Sequence, residues 1–350
     1  RLICDKRLLR ARCLCIELGS QEAPSKGLAG GRGEFTVSQA IVLAIVNQRT
    51  REAIEIFAER LEQQSNAARR FVPHSFLELL GKESLTDIQL GDHTQRQMSI
   101  LFSDIRSFTS LSEKLSPQEN FHFINEYLSY MDAVVQNNEG FVDKYIGDAV
   151  MALFDAEADH ALQAALGMLK ALDEFNQRRE EKGGEVIRIG IGINSGDVML
   201  GTIGGHYRMD GTVISDAVNL ASRVESMTKL YKTQILITEH TYQLLRDPSL
   251  YHIREIDRVV VKGKVKPVTV YEVYDHDSPT LIERKDAHKK EFSKGLRYYR
   301  DRKFTRAVQI FSQCLGEAPE QDEAAYMYIQ RCKEHQAMDL TETWNGVLKM

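Results

Sequence analysis

The stretch GFVDKYIGDAVMALF, residues 140–154, decides the fold. It contains two β-favouring runs, residues 140–145 and 149–154, and the short segment Ile146-Gly147-Asp148 separates them. Two such runs joined by a short glycine-containing segment are typical of a β-hairpin. The stretch therefore predicts two antiparallel strands with Asp148 in the turn.

The segments on either side of this hairpin predict alternating strands and helices. Residues 98–102 form a short apolar strand, and Ser116, Pro117 and Glu119 have the spacing of a capped helix start, with the helix reaching about Asn137. After the hairpin we expect an amphipathic helix over 161–179 and a strand over 186–198. The order strand, helix, hairpin, helix, strand predicts an α+β fold, a ferredoxin-like αβ sandwich with a βαββαβ core and extra strands.

The N-terminal third predicts a helical linker. Residues 35–70 contain no Gly or Pro, and Ile54, Phe57 and Leu61 fall on one helical face. Residues 1–34 hold a short apolar run at 14–18 and many glycines, from which we expect a flexible tail of an upstream domain, with a sensor as one option. Because the chain starts at Arg1 and not at Met, we expect a fragment of a longer protein. The predicted segments are 1–34, 35–97, 98–275 and 276–350.

The C-terminal segment, 276–350, is predicted to be helical. Five of its residues stand at the relative positions of a tetratricopeptide repeat, which the segment resembles: Gly295, Tyr298, Ala307, Phe311 and Pro319. One repeat cannot bury its own apolar face. We therefore expect it to dock on the helix at about 322–335, on the preceding domain, or on a partner protein.

Composition excludes several classes of protein. The formal net charge is −5, and no long block of like charges suggests a nucleic-acid partner. The longest aliphatic run, 40–46, is far shorter than a membrane-spanning helix, so no transmembrane segment is expected. The cysteines show no paired metal-ligand spacing and indicate a reduced, cytoplasmic setting, although a membrane-anchored upstream part stays an alternative; they are Cys4, Cys13, Cys15, Cys314 and Cys332.

Two aspartates are the first candidates for chemistry. An apolar strand ending in FSDIRSFT, residues 102–109, delivers Asp104 to a Ser/Thr-rich turn, and Asp148 lies in the hairpin turn. Each alone is ordinary for a turn. Neighbouring strands, however, can bring both carboxylates close enough to share two divalent cations, and Mg²⁺ or Mn²⁺ prefers oxygen ligands and phosphate.

These strings carry a resemblance to a known family. FSDIRSFT and KYIGDAVMALF, residues 144–154, resemble the metal-binding segments of class III adenylyl and guanylyl cyclases. The resemblance implies a catalytic domain over residues 98–275 and two Mg²⁺ or Mn²⁺ ions per active site. It also implies Asp104, Ile105 and Asp148 as the metal-binding residues.

Two further segments extend the resemblance. In RMDGTVISDAVNLASRVE, residues 208–225, Asn219 and Arg223 are four apart and share one helical face. In the family such a face positions the ribose and stabilises charge on phosphorus, a task that suits the planar arginine fork. The resemblance also implies that Lys262, in VKGK at 261–264, contacts the triphosphate, with Lys264 as the alternative.

The same resemblance implies which base of the nucleotide substrate, adenine or guanine, is selected. The two positions that the family uses to select the base hold Lys144 and Thr212 here. Lysine can donate to the adenine N1 edge and threonine can accept from the 6-amino group, whereas guanine needs an acceptor that lysine cannot provide. Adenine is therefore the expected base. Gly211 and Ser215 depart from many relatives, which raises a question about turn geometry.

The expected function is that of an adenylyl cyclase, which forms 3′,5′-cyclic AMP and pyrophosphate from ATP by two-metal-ion catalysis. In the family the two halves of each site come from opposite protomers, and one copy of every segment therefore predicts a twofold homodimer. The alternatives are a guanylyl cyclase and a non-catalytic nucleotide-sensing dimerisation module.

Overall fold

A computed structural model describes residues 31–69, 71–155, 157–205, 207–260, 267–316, 321–338, 344 and 346–349. The chain divides into two compact units, residues 1–68 and residues 69–350. The first unit contains a 39-residue helix, α1, at Gly31–Arg69. Its apolar side chains Ile54, Phe57 and Leu61 are all exposed in this chain. The predicted linker helix is therefore present.

The start of α1 differs from the prediction. The helix begins at Gly31, whereas we expected a flexible turn through residue 34. A glycine costs a helix about 1 kcal/mol relative to alanine, and the long glycine-free run after Gly33 outweighs that cost. The predicted strand at 14–18 and Cys4, Cys13 and Cys15 lie outside the described residues.

The second unit contains the predicted βαββαβ core. A short helix α2 (His74–Leu79) precedes it, and the core elements are β1 (His93–Ile105), α3 (Phe108–Ser112), α4 (Pro117–Asn137), β2 (Gly140–Ile146), β3 (Ala149–Asp155), α5 (Ala158–Glu181) and β4 (Ile189–Gly205). The capping box predicted for α4 is formed, because Ser116 Oγ accepts from the Glu119 amide and the Glu119 carboxylate accepts from the Ser116 amide. The hairpin turn is made at Gly147, whose φ of 66° lies in the left-handed region that glycine adopts without strain.

Several further elements follow the core. They are β5 (Arg208–Ile214), α6 (Asp216–Tyr231), β6 (Ile235–Thr238), α7 (Glu239–Leu244), β7 (Ile253–Val260) and β8 (Val268–Val273), followed by α8 (Pro279–Ala287), α9 (Lys289–Arg300), α10 (Phe304–Leu315), α11 (Glu323–Gln336) and β9 (Leu348–Lys349). The strands form one sheet in the order β2-β3-β1-β4-β6-β8-β7-β9, with β5 paired to β4. The sub-order β2-β3-β1-β4 is antiparallel and gives the predicted ferredoxin-like arrangement.

Alternate side chains of β1 point to opposite faces of the sheet. Leu101 and Ile105 belong to the buried cluster that also contains residues of α4 and α5. Ile100 and Phe102 belong to a second cluster on the other face, together with Ala221 of α6. Helices therefore cover the sheet on both faces, and α6 lies on the same face as Phe102.

Strand β1 is much longer than the sequence predicted. β1 begins at His93, and not at Met98, and it pairs with β4 over its full length, from His93 opposite Gly201 to Ile105 opposite Ile189. The extra residues are mostly polar and exposed. They were missed because hydrophobic alternation marks only strands with a buried face, whereas main-chain pairing needs no apolar side chain.

The C-terminal helices pack on the sheet. Helices α9, α10 and α11 share one buried cluster with α6 and strands β6 to β8. The absence of a side chain at Gly295 lets α9 approach α10, since a Cβ at this position would lie 2.7 Å from the Phe311 ring. Of the three docking surfaces that the sequence left open, the helix at 322–335 and the preceding domain are both used. Pro319 lies outside the described residues.

A buried charge network fixes this contact. Arg254 of β7 is 2% exposed, and its guanidinium lies 2.6 Å from Glu272 Oε2 and 2.8 Å from Asp322 Oδ1. Lys285 Nζ lies 2.7 Å from the other oxygen of Glu272. Buried charges are stable only when they are paired and hydrogen-bonded in this way. Among the described residues, no helix has the length and apolar character to cross a membrane.

Candidate active site

Asp104 and Asp148 lie side by side at one end of the sheet. Asp104 is the penultimate residue of β1, and Asp148 follows Gly147 in the β2–β3 turn. The Ile105 amide donates to Asp148 Oδ2 at 3.1 Å, which joins the hairpin turn to the end of β1. Burial, together with the Asp104 carboxylate, raises the pKa of Asp148 to about 6. The structure thus brings the two predicted metal ligands together.

This donor set fits a hard divalent cation. Two carboxylates in proximity repel each other, and a cation between them would remove that repulsion. Their ligand atoms are oxygens, which Mg²⁺ and Mn²⁺ prefer. Among the described residues there is no group of three His, Cys, Asp or Glu side chains that could hold a metal. Any ion here would therefore need further oxygens from the main chain, water or substrate phosphate.

Three charged residues next to this pair were not predicted. Lys229 of α6 places its Nζ 3.0 Å from Asp104 Oδ2. Arg106 reaches α6 as well, with its guanidinium 3.5 Å from Glu225 Oε1 and hydrogen-bonded to Thr228. Burial, followed by the charge of Asp104, raises the pKa of Glu225 to about 7. The second half of α6 is therefore tied to the end of β1 that carries Asp104.

The predicted base-reading residues contact each other. Lys144 Nζ donates to Thr212 Oγ1 at 2.9 Å, although β3, β1 and β4 separate their strands in the sheet. The two strands also share one buried cluster, which contains Phe141 of β2 and Val213 of β5. Lys144 also lies 3.2 Å from Asp143 Oδ2, and the Asp143 side chain is almost fully buried. The Lys144 ammonium thus contacts both Thr212 and Asp143.

The two departures from many relatives have local explanations. A Cβ on Gly211 would lie 2.7 Å from the Phe76 ring of α2, so glycine makes room for this packing. Ser215 is the N-cap of α6: its Oγ accepts from the Ala217 amide at 3.0 Å and donates to the Asp197 carbonyl at 2.6 Å. Ser215 therefore fixes the start of the helix that carries Asn219 and Arg223.

Asn219 and Arg223 line a cavity of about 490 Å³ beside the first half of α6. The opposite wall comes from residues 194–197 of β4 and from His240. Asn194 is oriented by three contacts: it donates to the Ala217 carbonyl at 2.9 Å, accepts from Thr238 Oγ1 at 2.8 Å and lies 3.3 Å from His240 Nδ1. The predicted shared face of Asn219 and Arg223 is thus next to an open cavity.

The described residues of one chain therefore contain three separate parts. They are the Asp104–Asp148 pair, the Lys144–Thr212 pair, and the cavity beside Asn219 and Arg223. Neither pair lines that cavity. Lys262 and Lys264 lie outside the described residues, so their positions stay predictions.

The fold and these paired groups define a nucleotidyl cyclase catalytic domain. Residues 91–274 match the adenylate and guanylate cyclase catalytic domain family, and the chain belongs to that family. It is 44% identical over 227 residues to an adenylate cyclase of Anabaena cylindrica, a match that covers 63% of this chain and 45% of that protein.

A second relative and a solved structure agree with this assignment. The chain is 34% identical over 280 residues to the terminal-differentiation-specific adenylate cyclase of Dictyostelium discoideum, covering 78% of this chain and 13% of that protein. It is similar to the structure of a bacterial light-regulated adenylyl cyclase, with a TM-score of 0.55, 25% identity and coverage of 63% of this chain and 64% of that one. The chain spans less than half the length of the two curated relatives.

Proposed function

We propose that this protein is an adenylyl cyclase, which converts ATP into 3′,5′-cyclic AMP and pyrophosphate. The observation that carries the choice of base is the 2.9 Å hydrogen bond between Lys144 and Thr212. It holds an ammonium donor and a hydroxyl next to each other at the two positions that select the base. Adenine offers N1 as an acceptor and its 6-amino group as a donor, which matches this pair.

Guanine fits the same pair poorly. Its N1–H and 2-amino groups are donors, and the Lys144 ammonium has no lone pair with which to accept from them. The nearby Asp143 carboxylate is engaged with Lys144 at 3.2 Å. A guanine would therefore place donors opposite a donor and leave polar groups of the bound base unpaired, which is costly.

The metal-binding residues of the proposed enzyme are Asp104, Asp148 and the main chain at Ile105. Two Mg²⁺ or Mn²⁺ ions bound there would activate the ribose 3′-oxygen and neutralise the charge of the triphosphate. The support from this chain is the convergence of the two carboxylates and the contact of Asp148 with the Ile105 amide. Both carboxylates must be ionised to act as ligands.

The remaining residues position the substrate. In the reaction a bond forms between the ribose 3′-oxygen and the α-phosphorus, the bond to the bridging oxygen of pyrophosphate breaks, and the 3′-hydroxyl proton is lost to solvent. Asn219 orients the ribose, and Arg223 donates hydrogen bonds to the charge that develops on the α-phosphate. Lys262 contacts the triphosphate. No protein nucleophile takes part.

The proposed active form is a homodimer with two equivalent sites. Each chain has one copy of every part, and neither Asp104 nor Asp148 of the same chain lines the cavity beside Arg223. The β4–β5 hairpin also exposes a group of large apolar side chains: Met199, Ile203, Tyr207, Met209 and Ile214. Exposed apolar patches mark interaction surfaces. A second copy that covers this hairpin would supply the aspartates to Asn219 and Arg223.

The organisation around the catalytic domain is also a proposal. Residues 35–97 form a signalling linker from an upstream domain, and residues 276–350 form a tetratricopeptide-like segment. The close packing of α9 and α10 at Gly295 supports this second assignment. A protein partner could bind the exposed side of that segment. ATP as the substrate and the free buried thiols of Cys314 and Cys332 favour a cytoplasmic location.

The test is a direct assay of the purified chain with Mn²⁺ and either ATP or GTP. We expect cyclic AMP from ATP and much slower formation of cyclic GMP. Replacing Asp104→Asn or Asp148→Asn should lower turnover by more than about a hundredfold, since each change removes a charged metal ligand. Asp173→Asn is the matched control, because Asp173 is an exposed aspartate of α5 whose partner is His276. A wild-type chain that forms neither product, or ligand variants as active as the control, would refute the proposal.

A further inference from the structure

Helix α6 carries the two proposed transition-state residues, so its placement matters for the reaction. Its buried side is a stripe at spacings of three and four residues: Leu220, Val224, Met227 and Tyr231. This stripe belongs to the same cluster as residues of α9, α10 and α11. These C-terminal helices lie beyond residues 91–274, the part that matches the cyclase family. The catalytic helix therefore rests partly on a segment outside the family's domain.

Tyr231, the last residue of α6, is the polar anchor of this contact. Its side chain is fully buried, and its hydroxyl donates to Asp257 Oδ2 at 2.6 Å. Asp257 is a residue of β7 and is 1% exposed. A buried hydrogen bond to a carboxylate is strong and directional. The end of α6 is therefore tied to the sheet at one defined point.

Arg331 of α11 completes this anchor from the C-terminal segment. Its guanidinium lies 5.2 Å from the ring centre of Tyr231 and 5.5 Å from that of Tyr328. Its Nη1 is 3.6 Å from the same Asp257 oxygen that accepts from Tyr231. Stacking of a guanidinium on aromatic rings adds to the charge pairing. One side chain of α11 thus touches both partners of the Tyr231 bond.

Helix α11 is itself fixed on the sheet at its start. Asp322 caps α11, because its Oδ1 accepts from the Ala325 amide at 3.1 Å, and the same carboxylate pairs with Arg254 of β7. Tyr328, which lies between Asp322 and Arg331 along the chain, donates to the Ile256 carbonyl at 2.9 Å. Helix α11 therefore cannot slide or turn on β7 without breaking buried polar contacts.

From these contacts we infer that the C-terminal segment is a working part of the cyclase: Arg331 and Asp257 position Tyr231, and through it they set the placement of α6 with Asn219 and Arg223. The inference rests on the proposed function. Arg331, Asp257 and Tyr231 touch no substrate in this scheme and are positioning residues. They act on the rate of the chemical step, because a misplaced catalytic group loses transition-state stabilisation more than it loses ground-state binding.

The experiment compares Tyr231→Phe and Arg331→Gln with the wild-type chain in steady-state assays of cyclic AMP formation. Tyr231→Phe keeps the ring and removes only the hydroxyl that binds Asp257. For both variants we expect kcat to fall by about five- to a hundredfold, since a displacement of about 1 Å can cost about a hundredfold. The KM for ATP should change by less than about twofold, because the base-reading pair is not altered. Arg331→Lys, which keeps the charge next to Asp257, should recover part of the lost kcat.

A matched control separates positioning from general stability. Phe311→Leu weakens the same cluster, but the Phe311 ring packs inside the C-terminal segment, edge-on to Phe292 and stacked on Tyr328. It should lower Tm while kcat stays at the wild-type value. Wild-type kcat in Tyr231→Phe and Arg331→Gln, or an equal loss of kcat in Phe311→Leu, would overturn the inference.

A second readout does not depend on activity. Loss of the anchor should speed hydrogen exchange of the amides of α6, residues 216–231, in Tyr231→Phe but not in Phe311→Leu. Unchanged exchange in Tyr231→Phe would count against the anchor even in an inactive protein. If the wild-type chain makes no cyclic AMP but α6 loosens as expected, the proposed function fails and the anchor stands.

Discussion

The Lys229 ammonium lies 3.0 Å from Oδ2 of Asp104, one of the two proposed metal ligands. About half of the Lys229 side chain is exposed, so it can swing into solvent. The positively charged Lys229 side chain thus lies next to a carboxylate that a metal ion would also contact. Lys229 would therefore compete with a bound ion for Asp104.

Removing this charge should strengthen metal binding. We expect Lys229→Met to lower the Kd for Mn²⁺ by about two- to fivefold, because exposed ion pairs contribute less than about 1 kcal/mol. Titration calorimetry with Mn²⁺ alone measures this without turnover. Lys232→Met is the control, since Lys232 lies just after the same helix. Weaker Mn²⁺ binding in Lys229→Met would mean that the lysine holds Asp104 in place and does not compete.

Shared active sites can be tested by complementation. Asp104→Asn and Arg223→Ala should each be inactive as homodimers. Co-expression of the two should restore about a quarter of wild-type activity per chain, because half of randomly formed dimers are heterodimers and each has one intact site. Heterodimers that are isolated by two different affinity tags and stay inactive would contradict shared sites.

The choice of base should follow the Lys144–Thr212 pair. Replacing Lys144→Glu together with Thr212→Cys supplies an acceptor for the guanine N1–H and removes the donor for adenine N1. We expect the ratio of kcat/KM for GTP over ATP to rise by about a hundredfold, since a site built for one hydrogen-bonding pattern rejects the other. Thr212→Ser keeps the hydroxyl and should keep the ATP preference. An unchanged ratio in the double variant would show that other residues read the base.

Helix α1 offers a test of signal transmission to the catalytic domain. It carries Ile54, Phe57 and Leu61 on one exposed face, which suits pairing with the same helix of a second chain. We expect insertion of one to about seven residues after Gln64 to change cyclase activity periodically, with recovery near about seven, where the apolar face returns to register. Sedimentation must show that each variant stays dimeric. A flat series would make α1 a passive tether.

The docked C-terminal segment should protect its two cysteines. Burial raises the pKa of Cys314 and of Cys332 to about 12. Because a raised pKa favours the neutral thiol, only about 10⁻⁴ of each would be thiolate at about pH 8, and the thiolate is the reactive form. We expect iodoacetamide to leave both unmodified in the native chain and to modify both in denaturant, as read by peptide mass mapping. Rapid native labelling would mean that the segment undocks.

The sequence was sufficient for the core elements because their signals are local. The hairpin at 140–154 contains its own turn residues, and the helix from Pro117 is preceded by its own cap residue. The structure contains both elements. The extension of β1 to His93 had no such signal, since its added residues are polar and gain only main-chain pairing.

The sequence predicts site residues only where a motif marks them. Asp104, Asp148, Asn219 and Arg223 stay predictions from such motifs, whereas Lys229 lies 125 positions from Asp104 with no spacing pattern to connect them. The polar contacts that dock α11 were equally hidden. Arg254 and Glu272 look like surface charges of strands, and only the fold shows that both are buried and that Asp322 pairs with Arg254.

Helix α6 has one further consequence for a homodimer with shared sites. Its second half touches Asp104 of its own chain through Lys229, and its first half supplies Asn219 and Arg223 to the site completed by the other chain. Asn219 and Lys229 are about 15 Å apart along the helix axis. One helix would therefore span both active sites. An ion that displaces Lys229 at one site would act on the same helix that carries Asn219 and Arg223 at the other, so we expect the two sites to be coupled.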